Sequence, residues 1–219
     1  MKARPLHITA SGITQAALCP GSRQRQKGKR GKSNPLADSG TRIHDALESD
    51  NLDSLTDEGE RALATRAAEL RTEVIDGFFL SQPLFDGVEL NHVKEQRLHG
   101  LDGSVSGRFD GLVLDEHRAL LYDYKTGYNE PIDAQHNLQM RCYAVLVAEN
   151  YEKVTEITAA IIQPRVRPEI SLVEYTAEDL EKARDEIKQI LARAYEPDAP
   201  VIPGAIQCSY CLAKADCPE

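Results

Sequence analysis

The segment SVSGRFDGLVLDEHRALLYDYK, residues 104–125, is the most informative part of the sequence for predicting the fold. It contains two runs rich in apolar residues on either side of the polar tetrapeptide 115–118, which is the pattern of a β-hairpin. If the turn is centred on that tetrapeptide and has an even length, Asp110 lies directly opposite Asp123. A turn of odd length would shift this register, so the pairing is a prediction that a structure can test.

The rest of the chain alternates between helical and strand periods of apolar residues. Helices are predicted over residues 14–18, 39–47, 57–80, 134–150 and 176–195. Strands are predicted over residues 89–98, 104–114, 119–125, 156–163 and 170–175. Thr176 is expected to cap the last helix. This order of elements predicts an α/β protein with a mixed central sheet flanked by helices.

The composition is that of a folded domain in water. The chain has 219 residues, of which 41% are hydrophobic and 28% charged, and this length fits one domain better than two independent cores. No apolar run approaches the roughly 18 residues that a membrane-spanning helix needs. The first residues also lack the apolar stretch of a secretory signal. We therefore expect a cytoplasmic protein with no membrane partner.

The charge of the chain is distributed unevenly. The net charge is −9, but residues 1–37 contain eight basic residues and no acidic one. We define the basic segment as Arg23, Arg25, Lys27, Lys29, Arg30 and Lys32. This segment is either a solvated loop or an arm that contacts nucleic-acid phosphates, since such contacts require only local positive charge.

Four of the five cysteines have the spacing of metal or cluster ligands. Cys208, Cys211 and Cys217 form a C-x2-C-x5-C run near the C-terminus, and in a cytoplasmic protein this indicates metal or redox chemistry before disulfides. Cys19 is the natural fourth ligand, because it would attach this terminal run to the body of the protein. Cys142 lies in an apolar helix and is expected to be a buried, inert thiol.

The hairpin also predicts a metal site. Directly opposed carboxylates repel each other unless something neutralises them, and Mg2+ or Mn2+ would do so at Asp110 and Asp123. Lys125 shares a strand face with Asp123, from which it can position a metal-bound water or neutralise a phosphate. Glu95 is a candidate for a further acid, and His44 for a further metal ligand.

Each of these residues also has an ordinary structural explanation. An Asp-x-Lys triplet on a strand is more often a surface ion pair, and a single histidine such as His44 is more often structural. The convergence of several such residues favours a catalytic site. Gln139 and Tyr143 add to it, because they lie one helical turn apart just after the hairpin and can face the site together.

In chain order, the motifs resemble those of RecB-type nucleases of the PD-(D/E)XK superfamily. The matching residues are Gly40-x3-His44, Glu95, Gly107-Arg108-Phe109-Asp110, Asp123-Tyr124-Lys125 and Gln139-x3-Tyr143. One N-terminal cysteine with a C-terminal C-x2-C-x5-C run is similar to the iron–sulfur branch of these nucleases. That branch includes the CRISPR-associated RecB-like exonucleases and the AddB nuclease domain.

The resemblance implies a restriction-endonuclease-like domain that hydrolyses DNA with Mg2+ or Mn2+. The implied metal ligands are His44, Asp110, Asp123 and the carbonyl of Tyr124. Lys125 is the implied catalytic lysine and Glu95 a further acid, while Gln139, Tyr143 and the basic segment would hold DNA. The resemblance also implies a 4Fe-4S cluster bound by Cys19, Cys208, Cys211 and Cys217, which would join the N- and C-terminal segments.

On this basis residues 1–219 form one nuclease domain, with a core at about 38–195 and cluster-binding segments at about 12–34 and 196–219. We expect a metal-dependent exonuclease that acts on single-stranded DNA ends in recombination, repair or other DNA processing. A helicase or recombination partner would supply any unwinding. Two alternatives stay open. One is a CRISPR-associated spacer-processing nuclease with integration partners, and the other is a non-catalytic DNA-binding module whose cysteines hold zinc or an iron–sulfur cluster.

Overall fold

The structure, a computed structural model, describes residues 7–31, 34–80, 90–129 and 132–218. The helices are α1 (Ile13–Leu18), α2 (Ser22–Arg25), α3 (Pro35–Glu48), α4 (Glu58–Leu80), α5 (Leu138–Asn150), α6 (Ala177–Tyr195) and α7 (Ala205–Ser209). The strands are β1 (Ile8–Thr9), β2 (Asn91–Lys94), β3 (Arg97–Gly100), β4 (Val105–Arg108), β5 (Gly111–Leu114), β6 (Arg118–Tyr124), β7 (Glu156–Ile162) and β8 (Ile170–Tyr175). Within these ranges, no helix combines the length and apolar character needed to cross a membrane.

The strands form two mixed sheets. The larger sheet has the order β2-β5-β6-β7-β8, in which β6 and β7 are parallel and the other neighbours are antiparallel. The smaller sheet has the order β1-β4-β3, with β1 parallel to β4. The parallel pair β6–β7 is connected through α5, as a crossover requires. The predicted mixed α/β architecture with flanking helices is confirmed, but the strands form two mixed sheets where a single central sheet was predicted.

Side chains of β6 alternate between two hydrophobic cores. Leu121 belongs to the core that contains α5 and α6, whereas Leu120 and Tyr122 belong to the core that contains α3 and α4. Helices on both faces explain why this strand is an almost continuous apolar run. By the same alternation, Asp123 lies on the α5 face. It is therefore a carboxylate at the end of a buried strand.

The hairpin register is as predicted. Gly111 pairs with Tyr122, and Leu114 pairs with Ala119, across β5 and β6. The turn between them therefore has an even length. Continued by one residue beyond β5, the same register brings Asp110 towards the end of β6.

Two predicted strands are wrong in one respect, because each is broken in the middle. The strand predicted over 89–98 divides into β2 and β3 at Glu95, and its first residue lies outside the described part of the chain. The strand predicted over 104–114 divides into β4 and β5 at Asp110. Both breaks occur where the chain passes from one sheet to the other. Glu95 has a φ of +51° there, and its N–H donates to the Asp110 carbonyl at 3.2 Å.

Helix starts follow the capping residues more closely than the apolar repeats. The helix predicted over 39–47 begins four residues earlier, because the Asn34 side chain accepts a hydrogen bond from the first turn. The helix predicted over 134–150 begins at Leu138, after a short 3-10 turn. Thr176 caps α6 as predicted, in a capping box with the acidic residue three positions on.

The N- and C-terminal segments lie against each other. Gln15 Nε2 donates to the carbonyl of Gln207 at 2.7 Å. The N–H of Gly21 donates to the carbonyl of Pro200 at 2.9 Å. Direct protein contacts therefore join the two segments.

Candidate active site

The predicted site residues come together beside the two strand breaks. Glu95 and Asp110 occupy the breaks themselves, Asp123 and Lys125 lie at the end of β6, and His44 lies on α3. His44, Glu95 and Asp110 line a surface pocket of about 380 Å³. The strand breaks are therefore what turns these carboxylates away from regular sheet positions and towards a common space.

His44, Glu95 and Asp110 form a group that can hold a metal ion. One ligand atom from each residue lies within 4.8 Å of the other two. His44 Nδ1 is 3.0 Å from Asp110 Oδ1, and the N–H of Tyr124 donates to Asp110 Oδ2 at 2.5 Å. Carboxylate oxygens are the ligands that Mg2+ and Mn2+ prefer, and an imidazole beside them favours Mn2+ over the harder Mg2+. The donor set therefore fits the divalent cation that the sequence predicts.

Burial and hydrogen bonds shift the pKa values of this group in different directions. Burial raises the pKa of Glu95 to about 7, with a further contribution from its hydrogen bond to Asp110. Burial also opposes ionisation of Asp110, but hydrogen bonds from His44 and the Tyr124 N–H outweigh it and hold the Asp110 pKa below its ordinary value. For His44, burial favours the neutral ring, but the Asp110 hydrogen bond raises its pKa above the ordinary value. A bound cation would displace these protons.

Asp123 and Lys125 form a second, adjoining cluster. Lys125 Nζ lies 2.5 Å from Asp123 Oδ2 and donates to Gln139 Oε1 at 3.0 Å. Gln139 Nε2 lies 3.2 Å from Asp123 Oδ1 and donates to it. Burial and the charge of Asp110 raise the pKa of Asp123, while the Lys125 ammonium opposes this rise. The triplet is a buried acid with its ammonium partner rather than a solvated surface pair.

Gln139 and Tyr143 face this cluster together, as their spacing predicts. Gln139 Nε2 also donates to the Tyr143 hydroxyl at 2.9 Å. That hydroxyl donates to the carbonyl of Arg108 at 2.7 Å, next to the strand break that holds Asp110. The pair therefore connects the Asp123 cluster on β6 with the chain that carries Asp110.

Asp123 stands outside the group of ligand atoms within 4.8 Å, although the resemblance implies that it binds the metal. Its carboxylate contacts Lys125 and Gln139 instead. Tyr124 contributes its N–H to Asp110. The implied roles of the Asp123 carboxylate and the Tyr124 carbonyl as ligands therefore remain proposals.

Arg108 is a site residue to which the sequence analysis assigned no role. Its guanidinium forms an ion pair with Glu95 and lies 3.6 Å from Glu48. The side chain is about half exposed at the rim of the pocket. Its place in the Gly107-Arg108-Phe109-Asp110 motif was the available signal. Arg108 therefore brings a positive charge to the lining of this pocket, in a chain whose net charge is −9.

The basic segment is partly occupied by structural contacts. Arg23 donates to the carbonyl of His7 at 3.0 Å, and Lys29 forms an ion pair with Asp216. Arg25 lines the cavity between the terminal segments. Lys27 and Arg30 are exposed, whereas Lys32 lies outside the described residues. The segment is therefore folded against the C-terminal run of cysteines, rather than being an extended loop in the ranges described.

The four predicted ligand cysteines line one cavity between the terminal segments. This cavity has a volume of about 340 Å³, and Cys19, Cys208, Cys211 and Cys217 all border it. No three of their sulfur atoms lie within 4.8 Å of one another in the described chain. Cys142 is buried elsewhere, on α5, and burial raises the pKa of its thiol to about 12. The fifth cysteine is the inert thiol that the sequence predicts.

The fold is similar to that of an exonuclease-like structure. A solved protein from Eubacterium rectale, described as a candidate exonuclease, matches with a TM-score of 0.50 and 14% identity, over 86% of this chain and 79% of that chain. An alkaline exonuclease from Laribacter hongkongensis matches at a TM-score of 0.35 and 12% identity, over 86% and 87% of the two chains. The fold likeness rests on the first match alone.

Residues 7–219 match the family described as "Protein of unknown function (DUF2800)", and the chain belongs to that family. The fold is thus that of an α/β domain similar to this candidate exonuclease. The iron–sulfur branch of RecB-type nucleases is a narrower assignment than this.

Proposed function

We propose that this protein is a metal-dependent nuclease that hydrolyses DNA phosphodiester bonds. The observation that carries the proposal is the convergence of His44, Glu95 and Asp110 within 4.8 Å, beside the buried Asp123–Lys125 pair. Glu95 and Asp110 each lie at a break between two strands, and these breaks bring the two carboxylates towards His44. Metal-ligating groups next to a positioned ammonium are the parts that phosphodiester hydrolysis requires.

Each residue has a distinct role in this proposal. His44, Asp110, Asp123 and the Tyr124 carbonyl would hold Mg2+ or Mn2+, with Glu95 as a further acid. The ion would lower the pKa of a bound water and stabilise charge that develops on the phosphate. Lys125 then orients the water or the phosphate. Gln139 holds Lys125 in place through its 3.0 Å hydrogen bond.

More specifically, we propose that the nuclease acts as an exonuclease on the ends of single-stranded DNA. In its support, the fold neighbour from Eubacterium rectale is described as a candidate exonuclease. A helicase, recombination or CRISPR integration partner would supply the DNA ends.

A 4Fe-4S cluster at Cys19, Cys208, Cys211 and Cys217 is part of the proposal. Two sulfurs already accept main-chain hydrogen bonds at 3.3 Å, that of Cys19 from Ile202 and that of Cys208 from Gly204, as cluster thiolates commonly do. A single zinc ion with Zn–S bonds of about 2.3 Å would hold its sulfurs about 3.8 Å apart. In the described residues no three of these sulfurs lie within 4.8 Å of one another, so zinc binding would require them to move closer together.

The nuclease is tested with DNA labelled at the 5′ or the 3′ end, as single strand and as duplex. Wild-type protein is compared with Asp123→Asn, Lys125→Gln and the control Asp185→Asn, which removes one exposed carboxylate from α6. We expect cleavage with Mn2+, none with chelator, and loss only in the two site variants. Absence of cleavage by the wild type on every substrate would favour the non-catalytic DNA-binding module.

The cluster has its own test, which is independent of activity. Protein purified without oxygen should be brown and contain iron, and Cys208→Ser should lose both properties while Cys142→Ser keeps them. Stoichiometric zinc in colourless protein would contradict the cluster.

A further inference from the structure

Two tyrosines are prominently exposed beside the candidate active site. Tyr128 is 69% exposed and Tyr210 is 79% exposed, whereas the other tyrosines of the described ranges are buried or half-buried. Neither residue has a role in the metal site. We call these two residues the tyrosine pair.

Tyr128 lies in the loop that leaves the active-site strand. It follows Lys125 by three residues, and the loop after the parallel strand β7 carries Arg165 at the same edge of the sheet. The Arg165 guanidinium sits over the Tyr128 ring, 4.3 Å from its centroid. Arg165 Nε also donates to the carbonyl of Thr126 at 2.9 Å. One face of the ring is thus supported by a fixed cation, and the ring is otherwise exposed.

Tyr210 joins the C-terminal segment to this loop. Asn129 Nδ2 donates to the Tyr210 hydroxyl at 3.3 Å. The tyrosine pair is therefore contributed by two distant parts of the chain that meet through adjacent residues.

The surface continues from Tyr210 to the basic segment. The N–H of Leu212 donates to Gln26 Oε1 at 2.9 Å. A Cβ atom placed on Gly31 would lie 3.1 Å from Leu212 Cδ2, so the main chain of the basic segment touches this part of the C-terminal segment. Arg30 is exposed next to that contact. One connected surface thus joins the basic segment to the tyrosine pair.

The other end of this surface adjoins the candidate metal-binding group of His44, Glu95 and Asp110, which we call the metal group. A Cβ atom on Gly40 would lie 3.9 Å from Thr126 Oγ1. Gly40 lies on α3 one turn before His44 and also lines the pocket of His44 and Asp110. The loop that carries Tyr128 therefore lies beside the helix that supplies the imidazole ligand.

We propose that the tyrosine pair stacks with unpaired bases of single-stranded DNA, and guides the strand from the basic segment to the metal group. This inference rests on the proposed nuclease function and specifies its substrate. Exposed aromatic rings combined with positive charge along the backbone path are how proteins bind single strands without reading their sequence. Within a duplex the base faces are covered by stacked neighbours and cannot contact such rings, so the surface selects single strands.

The absence of tryptophan from the chain permits a direct test. Tyr128→Trp and Tyr210→Trp each introduce one fluorophore at a proposed stacking position. In chelator, where no cleavage occurs, we expect short oligothymidylate to quench the emission of both variants, and blunt duplex of the same length to quench neither. Unchanged emission at oligothymidylate concentrations that saturate binding would overturn the proposal. Equal quenching by duplex would also overturn it.

Loss of the rings should weaken binding. Tyr128→Leu and Tyr210→Leu keep apolar bulk without an aromatic face, and we expect each to reduce oligothymidylate affinity about fivefold or more. Tyr→Phe at either position should retain binding. Leu variants that bind as tightly as wild type would overturn the proposal.

Arg165 provides a matched comparison of charge. Arg165→Ala and Arg167→Ala remove the same charge from the same loop, but Arg167 forms an ion pair with Glu169 and Arg165 supports the Tyr128 ring. When each change is combined with Tyr128→Trp, only Arg165→Ala should reduce the quenching of tryptophan emission by oligothymidylate. Cleavage by wild type without quenching in the variants would refute the stacking surface alone. Quenching without any wild-type cleavage would refute the nuclease alone.

Discussion

Removal of one buried hydroxyl tests how the two halves of the site are held together. The Tyr143 hydroxyl accepts from Gln139 and donates to the Arg108 carbonyl, at 2.9 and 2.7 Å. Tyr143→Phe leaves the carbonyl without this donor, whereas Gln139 keeps its bond to Asp123. With this buried hydroxyl and its two hydrogen bonds removed, we expect a loss of about 1–2 kcal/mol of stability. In a domain of this size the melting temperature should fall by about 2–8 °C.

The measurement is urea unfolding followed by circular dichroism, in chelator so that metal binding does not contribute. Tyr151→Phe is the matched control, because it removes a hydroxyl that bonds the exposed Gln96 side chain at 2.9 Å, and it should change stability by no more than about 0.5 kcal/mol. Tyr143→Phe should also slow cleavage, since Gln139 would hold Lys125 less firmly. Equal stability of the two variants would show that Tyr143 does not connect the Asp123–Lys125 cluster with the chain that carries Asp110.

Three further predictions concern the metal group, the strand break and the basic segment. The pKa of Glu95 is raised to about 7. Because a carboxyl must lose its proton to bind a metal ion, the Mn2+ affinity measured by calorimetry should increase as pH rises through about 7. Because the unfolded chain loses this proton at a lower pH than the folded protein does, protein without metal should lose stability as pH rises from about 4.5 towards 7. Glu95→Gln should abolish that loss of stability, and a pH-independent affinity would contradict the assignment. Gly111→Ala would overlap the Tyr122 ring and should lower the melting temperature by about 6 °C or more, while Gly77→Ala in open space on α4 should not lower it. Replacing Lys29 and Arg30 by alanine should reduce the salt slope of single-strand binding by about 1.4, and an unchanged slope would mean that they do not contact phosphate.

The hairpin and its register could be predicted from sequence because the polar tetrapeptide 115–118 marks the turn between two apolar runs. Side chains of β6 alternate between two buried faces, so the period of two places Leu121 and Asp123 on the same face. The same alternation placed Asp123 and Lys125 together. Helical spacing likewise predicted the joint orientation of Gln139 and Tyr143, which their 2.9 Å hydrogen bond confirms.

The strand breaks could not be predicted in this way. Glu95 adopts a left-handed conformation that its residue type does not favour, and its stabilising bond to Asp110 comes from a distant part of the chain. Strand propensity is continuous through both breaks, so tertiary contacts decide where the chain changes sheet. The ion pair of Arg108 with Glu95 depends on these breaks and was missed for the same reason.

We propose that the break between β4 and β5, which holds Asp110, is a metal centre. Anomalous scattering from crystals soaked in Mn2+ would locate the ion, with Asp110→Asn crystals as the control. We expect one strong peak within bonding distance of Asp110 and His44 in the wild type, with Asp123 drawn towards it, and no peak in the variant. A peak elsewhere, or none at concentrations that support DNA cleavage, would rule out a metal centre at this break.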